Sequence, residues 1–390
     1  MSRVINLAGK LRAVAPYIRT EDEAIEAAEA LADEIRTVSS AHDRQRSHQE
    51  RERIARSGIF GITVPTEYGG ADISNPFLAE VLAILSEADS SVGRILQSHF
   101  YILEVLRIAG TENQKRHFFT RALAGDHFTA APVEKNGETE GNINLPIAAD
   151  SAGYRLTRQK YYPNGALFGD WTALFIQDAK DRNVMAIVPP YTDGMMTVDD
   201  WDGFSPGSVT KDNRYVSADS VIAYYKVFEQ PTALEPLGQL LHAAIDLGIA
   251  RASFTDMIDS VKTRSRGSRS LDIESEKTGS VAVKIEAAAA VIERAGRKVD
   301  IAQVSPSASA ASEASLAVAA AEILSTEAAA GAATALFALA GTSATSKVFV
   351  PGHHERMART GAVDDQAPRK YAAIGEFHLN GKLPRPNDRF

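Results

Sequence analysis

The hydrophobic period changes twice along this chain, and that change limits the fold more than any single motif does. From Glu21 to Val38, apolar residues recur among Ala and Glu at helical spacing. Leu78, Val81, Leu82 and Leu85 then repeat at i, i+3, i+4 and i+7, the stripe of a core-facing helix. A further helix is predicted near Val92–Ile108, stopped by Gly110. Thr111-Glu112-Asn113-Gln114 reads as a capping box opening the helix that carries Phe118, Phe119 and Leu123. Between these helices, Ser57 to Pro65 breaks the pattern and Glu67-Tyr68-Gly69-Gly70 signals a turn. After about Phe128 the period becomes that of short strands. Tyr154–Tyr162, Thr172–Ile176 and Val184–Val188 are rich in β-branched and aromatic residues, and a further strand pair is expected between Met196 and Phe228. The helical period then returns in Leu237–Lys262, Val281–Val299 and Ser315–Leu339. Alanine dominates the last two, which favours helix and permits close packing. Regular Leu, Ile, Val and Phe among the alanines argue for an antiparallel bundle rather than low complexity. Ser305–Ser309 and Arg266–Ser270 read as its connectors, and Gly331 as a close helix–helix contact.

This order, helices then strands then a bundle, requires a core, and 44% hydrophobic residues over 390 can supply one. A net charge of -8 without a long Lys/Arg run argues against nucleic acid or an anionic membrane as the main partner. The absence of cysteine excludes disulfides, thiolate catalysis and Cys-ligated metal, and fits the cytosol. Met1–Lys10 is too short and polar for the apolar core of a signal peptide. No apolar run is expected to reach the roughly 20 residues of a membrane span.

Several segments together resemble flavin monooxygenases built on the acyl-CoA dehydrogenase fold, in the branch of sulfur-acquisition and dibenzothiophene monooxygenases. They are Ile62–Gly70, Gln97–Tyr101, Asp199–Phe204, Glu229–Ala233 and His242–Arg251. Leu339–Thr345, Arg356–Thr360 and Lys370–Gly381 add to them near the C-terminus. The resemblance runs from about Ala30 to Pro384. It implies an α+β multidomain, acyl-CoA dehydrogenase-like chain: an N-terminal α-helical domain over 1–127, a middle β-domain over 128–230 and a C-terminal four-helix bundle over 231–390. It also implies reduced FMN, rather than FAD, supplied by a separate flavin reductase. The substrate would be a small organosulfur or other apolar molecule, and the assembly a homodimer or homotetramer.

Measured against that family, five cofactor-facing segments depart. Where the family places Asn-Ala-Phe-Ser-Glu, this chain has Ala130-Ala131-Pro132-Val133-Glu134, keeping Glu134 alone. The Ser/Thr-Gly-Ala turn becomes Asn164-Gly165-Ala166, and Asn164 can still donate a hydrogen bond. The Gly-Gln-Arg-x-Thr-x-Ser-Gly stretch becomes Ser205–Asp212, leaving the hydroxyls of Ser208 and Thr210. Arg-Pro-Trp is replaced in Arg264–Ser268, and Arg-Thr-His-Thr-Leu-His-Asp becomes Arg359-Thr360-Gly361-Ala362-Val363-Asp364-Asp365, without its histidines. A kept fold with a rebuilt or abandoned flavin site follows from this pattern.

The cofactor-binding set that the resemblance implies is therefore Glu134, Asn164, Trp201, Ser208, Arg356 and Arg359. Trp201 reads equally as a core aromatic, and the arginines as partners of bundle carboxylates. The catalytic set is His99, Asn164 and Asp365. His99 stands where the family has a histidine facing the substrate cavity; the alternative is a histidine packed on a helix face. Asp365, beside Asp364, lies near the catalytic Glu position of true dehydrogenases, or in a solvated turn before Pro368. His353-His354-Glu355 lacks the spacing of a helical metal site, so no metal is expected. No Gly-rich dinucleotide fingerprint follows a strand, so direct NAD(P) binding is not expected. Three functions remain open: a reduced-FMN-dependent monooxygenase, a flavin-less homologue, and an FAD-dependent acyl-CoA dehydrogenase, against which the lack of a matching Glu counts. The second would carry proton-transfer, isomerase or lyase chemistry, or act as a non-catalytic ligand-binding or partner subunit.

Overall fold

Tight turns, caps and apolar stripes place the helices close to where the sequence puts them. The computed structural model describes residues 3–5, 11–13, 15–38, 44–131, 148–150, 153–156, 159–161, 169–178, 180–189, 195–198, 208–211, 214–264, 271–340 and 367–384. Helices α1 (Glu21–Val38), α2 (Arg44–Ser57), α3 (Asn75–Ala88), α4 (Ser90–Ala109) and α5 (Glu112–Leu123) come first. Helices α6 (Leu234–Arg264), α7 (Leu271–Val304), α8 (Ala308–Ala340) and α9 (Ala367–Asn380) close the chain. Helix α2, rich in Arg and Glu, carries too weak an apolar stripe to be read from the sequence. The turn at Glu67–Gly70 is a 3-10 turn, Thr66–Tyr68, closed by Gly69 at φ 94°. The capping box is present. Thr111 Oγ1 accepts from the Gln114 N–H at 3.4 Å, and Gln114 Oε1 accepts from the Thr111 N–H at 2.9 Å.

The chain packs as two compact units. The first comprises Met1–Ala27, Ser40–Ile73 and Ile95–Gln230. Its main sheet has the order β12–β8–β7–β3, from strands Val221–Ile222, Asn183–Val188, Trp171–Gln177 and Phe128–Ala131. The pair β3–β7 is parallel and the others antiparallel. Leu174, Ile176, Val184, Ala186, Val188 and Val216 form a buried cluster, covered by Tyr154, Val221 and Tyr225. The strand expected over Tyr154–Tyr162 is two strands in different sheets. Strand β5 (Gly153–Leu156) pairs with β4 (Ala148–Asp150) and β11 (Arg214–Ser217), whereas β6 (Gln159–Tyr161) pairs with β10 (Ser208–Lys211). Strand β9 (Met195–Val198) completes the second of these sheets, and β1 (Arg3–Ile5) pairs with β2 (Leu11–Ala13).

The second unit comprises Ala28–Ser39, Ser74–Arg94 and Pro231–Phe390. Within it α3, α6, α7 and α8 pack together, and α9 lies on α8. Gly248 lets α6 press on α3: a Cβ there would stand 2.5 Å from the Ala83 carbonyl oxygen. Gly296 does the same for α7 at the start of α3, 2.7 Å from the Pro76 nitrogen. Beside it Asp300 accepts from both the backbone and side-chain nitrogens of Asn75, at 2.9 and 2.6 Å. Gly331 differs from the expectation. Among the described residues nothing lies within 4 Å of where its Cβ would be, so it makes no close helix contact there. Helix α8 also corrects the expectation of no membrane-length apolar run. Ala308–Leu339 is long and apolar enough to cross a bilayer, with mean hydropathy 1.3 in its most apolar window. That window is 56% buried, and packing on α6 and α7 accounts for its composition. The connector 266–270 and Asp364 lie outside the described residues.

Candidate functional site

Two groups of buried polar side chains stand out, one in each unit. The first gathers around His99. Helix α4 carries the imidazole into an aromatic cluster with Phe60 at 4.7 Å, Phe100 at 5.3 Å, Phe128 at 5.6 Å and His127 at 5.9 Å between ring centroids. The Phe128 N–H donates to His99 Nδ1 at 3.1 Å, which fixes the tautomer. Nε2 therefore holds the proton and donates to the Phe60 carbonyl at 2.8 Å. Burial, reinforced by the neighbouring His127, pushes the imidazole pKa down to about 3. Through these two hydrogen bonds His99 pins α4 to the turn at Phe60 and to the start of β3.

Carboxylates frame that start. Asp170 accepts from the His127 N–H at 3.0 Å and pairs with Arg51 at 2.7 Å. Asp126 accepts from Trp171 Nε1 at 2.9 Å and pairs with Arg121 at 2.6 Å. Burial raises the Asp126 pKa, the Asp170 charge adds to this, and Arg121 and Trp171 hold it back. Nearby, Tyr101 and Tyr224 share a hydroxyl–hydroxyl hydrogen bond of 2.8 Å. These networks orient β3, the first strand of the sheet in chain order.

The second group lies in the helical unit. Asp246 of α6 is 1% exposed. Its Oδ2 accepts from Thr326 Oγ1 of α8 at 2.7 Å, while Oδ1 has no hydrogen-bond partner among the described residues. Arg94 of α4 is near enough to act on it by charge, as are His242 and Lys370. Burial lowers the Arg94 pKa, with Asp246 opposing, and its Nη2 is buried without a hydrogen-bond partner among the described residues. Burial likewise raises the Asp246 pKa. Lys370 of α9 pairs with Glu322 of α8 at 2.8 Å. Sequence reading missed this group. The available signal was a carboxylate inside the apolar stripe of Leu240, Leu241, Ile245 and Ile249.

Of the residues expected at the flavin and the chemistry, Ser208 opens β10, with its backbone opposite Val198 of β9. Glu134, Asn164, Trp201, Arg356, Arg359 and Asp365 lie outside the described residues, as do His353, His354 and Glu355.

Comparison with known proteins matches residues 20–126 to the family model "Acyl-CoA dehydrogenase, N-terminal domain" and residues 240–360 to "Acyl-CoA dehydrogenase, C-terminal domain". Together the two cover more than half of the chain. A dibenzothiophene monooxygenase of Rhodococcus erythropolis is 24% identical over 404 residues, spanning 96% of this chain and 97% of that protein. Among solved structures, FMN-bound TdsC from Paenibacillus sp. A11-2 superposes with a TM-score of 0.81 at 22% identity, covering 93% of this chain and 99% of its own. Methanesulfinate monooxygenase MsuC from Pseudomonas fluorescens gives 0.77 at 18% identity, covering 93% and 98%. At such identities the structural likeness establishes the fold.

Proposed function

We infer the function from one premise: the chain belongs to the acyl-CoA dehydrogenase family. Within that family we propose a reduced-FMN-dependent monooxygenase acting on a small organosulfur or apolar substrate. The observation that carries this reading is the end-to-end match to a dibenzothiophene monooxygenase, over 96% of this chain and 97% of that protein. A match to the dehydrogenase scaffold alone would leave the chemistry open; full-length likeness to an oxygenase favours oxygenation.

The donors that the sequence retains fit a flavin mononucleotide by their chemistry. Arg356 and Arg359 supply guanidinium groups suited to a phosphate dianion. Asn164 and Ser208 supply an amide and a hydroxyl suited to the polar edge of the ring, and Trp201 an aromatic face. Bound reduced FMN would supply the electrons that activate oxygen. The protein's own part is then to hold the ring, keep water out and seat the substrate. Asp365 would stand as a proton-holding carboxylate. His99 fixes the scaffold behind β3 and takes no proton. We place the enzyme in the cytoplasm as a homodimer or homotetramer, fed by a separate flavin reductase.

The test is a fluorescence titration with oxidised FMN, repeated anaerobically with reduced FMN. It is followed by turnover of dibenzothiophene and methanesulfinate with a reductase present. Tight binding of the reduced form and oxygenated product support the reading. Absence of binding in either redox state, with flavin in excess, overturns it in favour of a flavin-less homologue.

A further inference from the structure

Helix α7 carries two seams, and the bundle uses one of them. Val281, Ile285, Ala288, Ile292, Ala295 and Val299 are buried, and α7 packs against α3, α6 and α8. Two residues beyond each of these, on the opposite side of the helix, stand Val283, Ala287, Ala290, Arg294, Arg297 and Ile301, all exposed. Val304 closes this outer seam one turn later. Its ends are apolar and in water: Val283 is 69% exposed, Ile301 53% and Val304 84%. A groove of about 310 Å³ lies along the same face, lined by Ala290, Glu293, Arg294, Arg297, Lys298 and Ile301. Scattered apolar residues on a surface are ordinary, but a second seam at heptad spacing is the pattern of a helix that packs on another helix.

We propose that this outer face of α7 is an interface between two copies of the chain, their α7 helices antiparallel about a two-fold axis level with Ile292. The seam itself sets the register. Read in opposite directions, Val283 of one copy comes level with Ile301 of the other, and the symmetry repeats that contact at the far end. Ala287 and Ala290 then stand level with Arg297 and Arg294 of the second copy, small residues against long stems. The groove from Ala290 to Ile301 thus receives the small-residue half of the second copy, Val283 to Ala290. Charge picks the same direction. Glu286 comes level with Lys298 of the second copy, beside Arg297. Arg294 has Ala290, Val291, Arg297 and Lys298 at its i±3 and i±4 positions, so its own helix offers it no carboxylate. Glu293 of the second copy falls within one turn of it. A parallel pairing would instead set Arg294 on Arg294 and Arg297 on Arg297, like charges opposed. The face matches itself, which favours a second copy over a different protein. This inference rests on the function proposed above only in taking the chain to self-associate, and it makes no use of flavin.

Sedimentation equilibrium on the full chain without flavin, over a range of concentration, tests this. Wild type should have at least twice the mass of one chain. Val283→Glu and Ile301→Lys, both at exposed positions, should each weaken the contact about 100-fold or more, read as loss of mass on dilution. Each sets a charge against an apolar partner at both ends of the seam. Combined in one chain, the two substitutions place Glu opposite Lys at both ends and should recover assembly to within about tenfold of wild type. Only the antiparallel register predicts that recovery; a parallel pairing would set Glu on Glu and Lys on Lys. A wild type that stays monomeric at every concentration overturns the inference and the proposed assembly together, while the FMN titration decides the oxygenase reading separately. Mass unchanged by both single substitutions overturns the inference alone and moves the contact to another surface. Failure of the combined variant to recover overturns it as well. If Val283→Glu does not fold by far-UV circular dichroism, Ile301→Lys decides.

Discussion

His99 holds two backbone groups, the Phe128 N–H and the Phe60 carbonyl. Replacing it with Leu fills the space but orphans both. The expected loss is about 2–6 kcal/mol in urea unfolding, the sum of two buried groups left unmatched. Its titration gives a second prediction. The imidazole pKa falls from 6.5 in the unfolded chain to about 3 in the folded one. Protonation therefore favours unfolding. Stability is full above about 6.5 and falls by roughly 1.4 kcal/mol per pH unit as the pH drops toward about 3. In His99→Leu this part of the acid slope should vanish; an unchanged slope would assign it to other groups. The sequence marked His99 as notable, but it could not say which atoms its nitrogens reach. Those atoms lie 39 and 29 residues away.

Helix ends and helix contacts give sharper expectations at the next scale. Thr111→Ala removes the hydroxyl half of the capping box on α5 and should cost about 1 kcal/mol in thermal or urea unfolding. The glycines of α6 and α8 should respond with opposite signs. Gly248→Ala would drive a Cβ to 2.5 Å from the Ala83 carbonyl, a backbone atom that cannot move aside, so soluble expression or stability should fall steeply. Gly331→Ala meets open space in a helix interior and should stabilise by about 0.5–1 kcal/mol. Equal effects from the two substitutions would contradict this packing. Both glycines look alike in sequence, each inside an apolar helix. Only the neighbour across the contact separates them.

For the whole molecule, the reading of an oxygenase without its own dinucleotide site predicts a strict division of labour. With NADH, FMN and substrate but no reductase, the chain should consume no NADH; adding a flavin reductase should give oxygenated product. NADH oxidation by the chain alone would show that a nicotinamide site escaped the sequence. The chain also divides differently in space than along its length. Helices α1 and α4 each contribute residues to both compact units, so the order helices, strands, helices describes the sequence and not the packing. By itself the sequence determined the kinds of element, their order and the fold family. Hydrophobic period, caps and turn residues act over a few residues and are written in consecutive letters. Tertiary structure alone decided that His99 is a backbone pin. It also buried Asp246 within the helical unit, and gave Gly248 a close neighbour and Gly331 none among the described residues. Each of these depends on atoms brought together from distant parts of the chain, where burial strips away water and makes every unmatched polar group count.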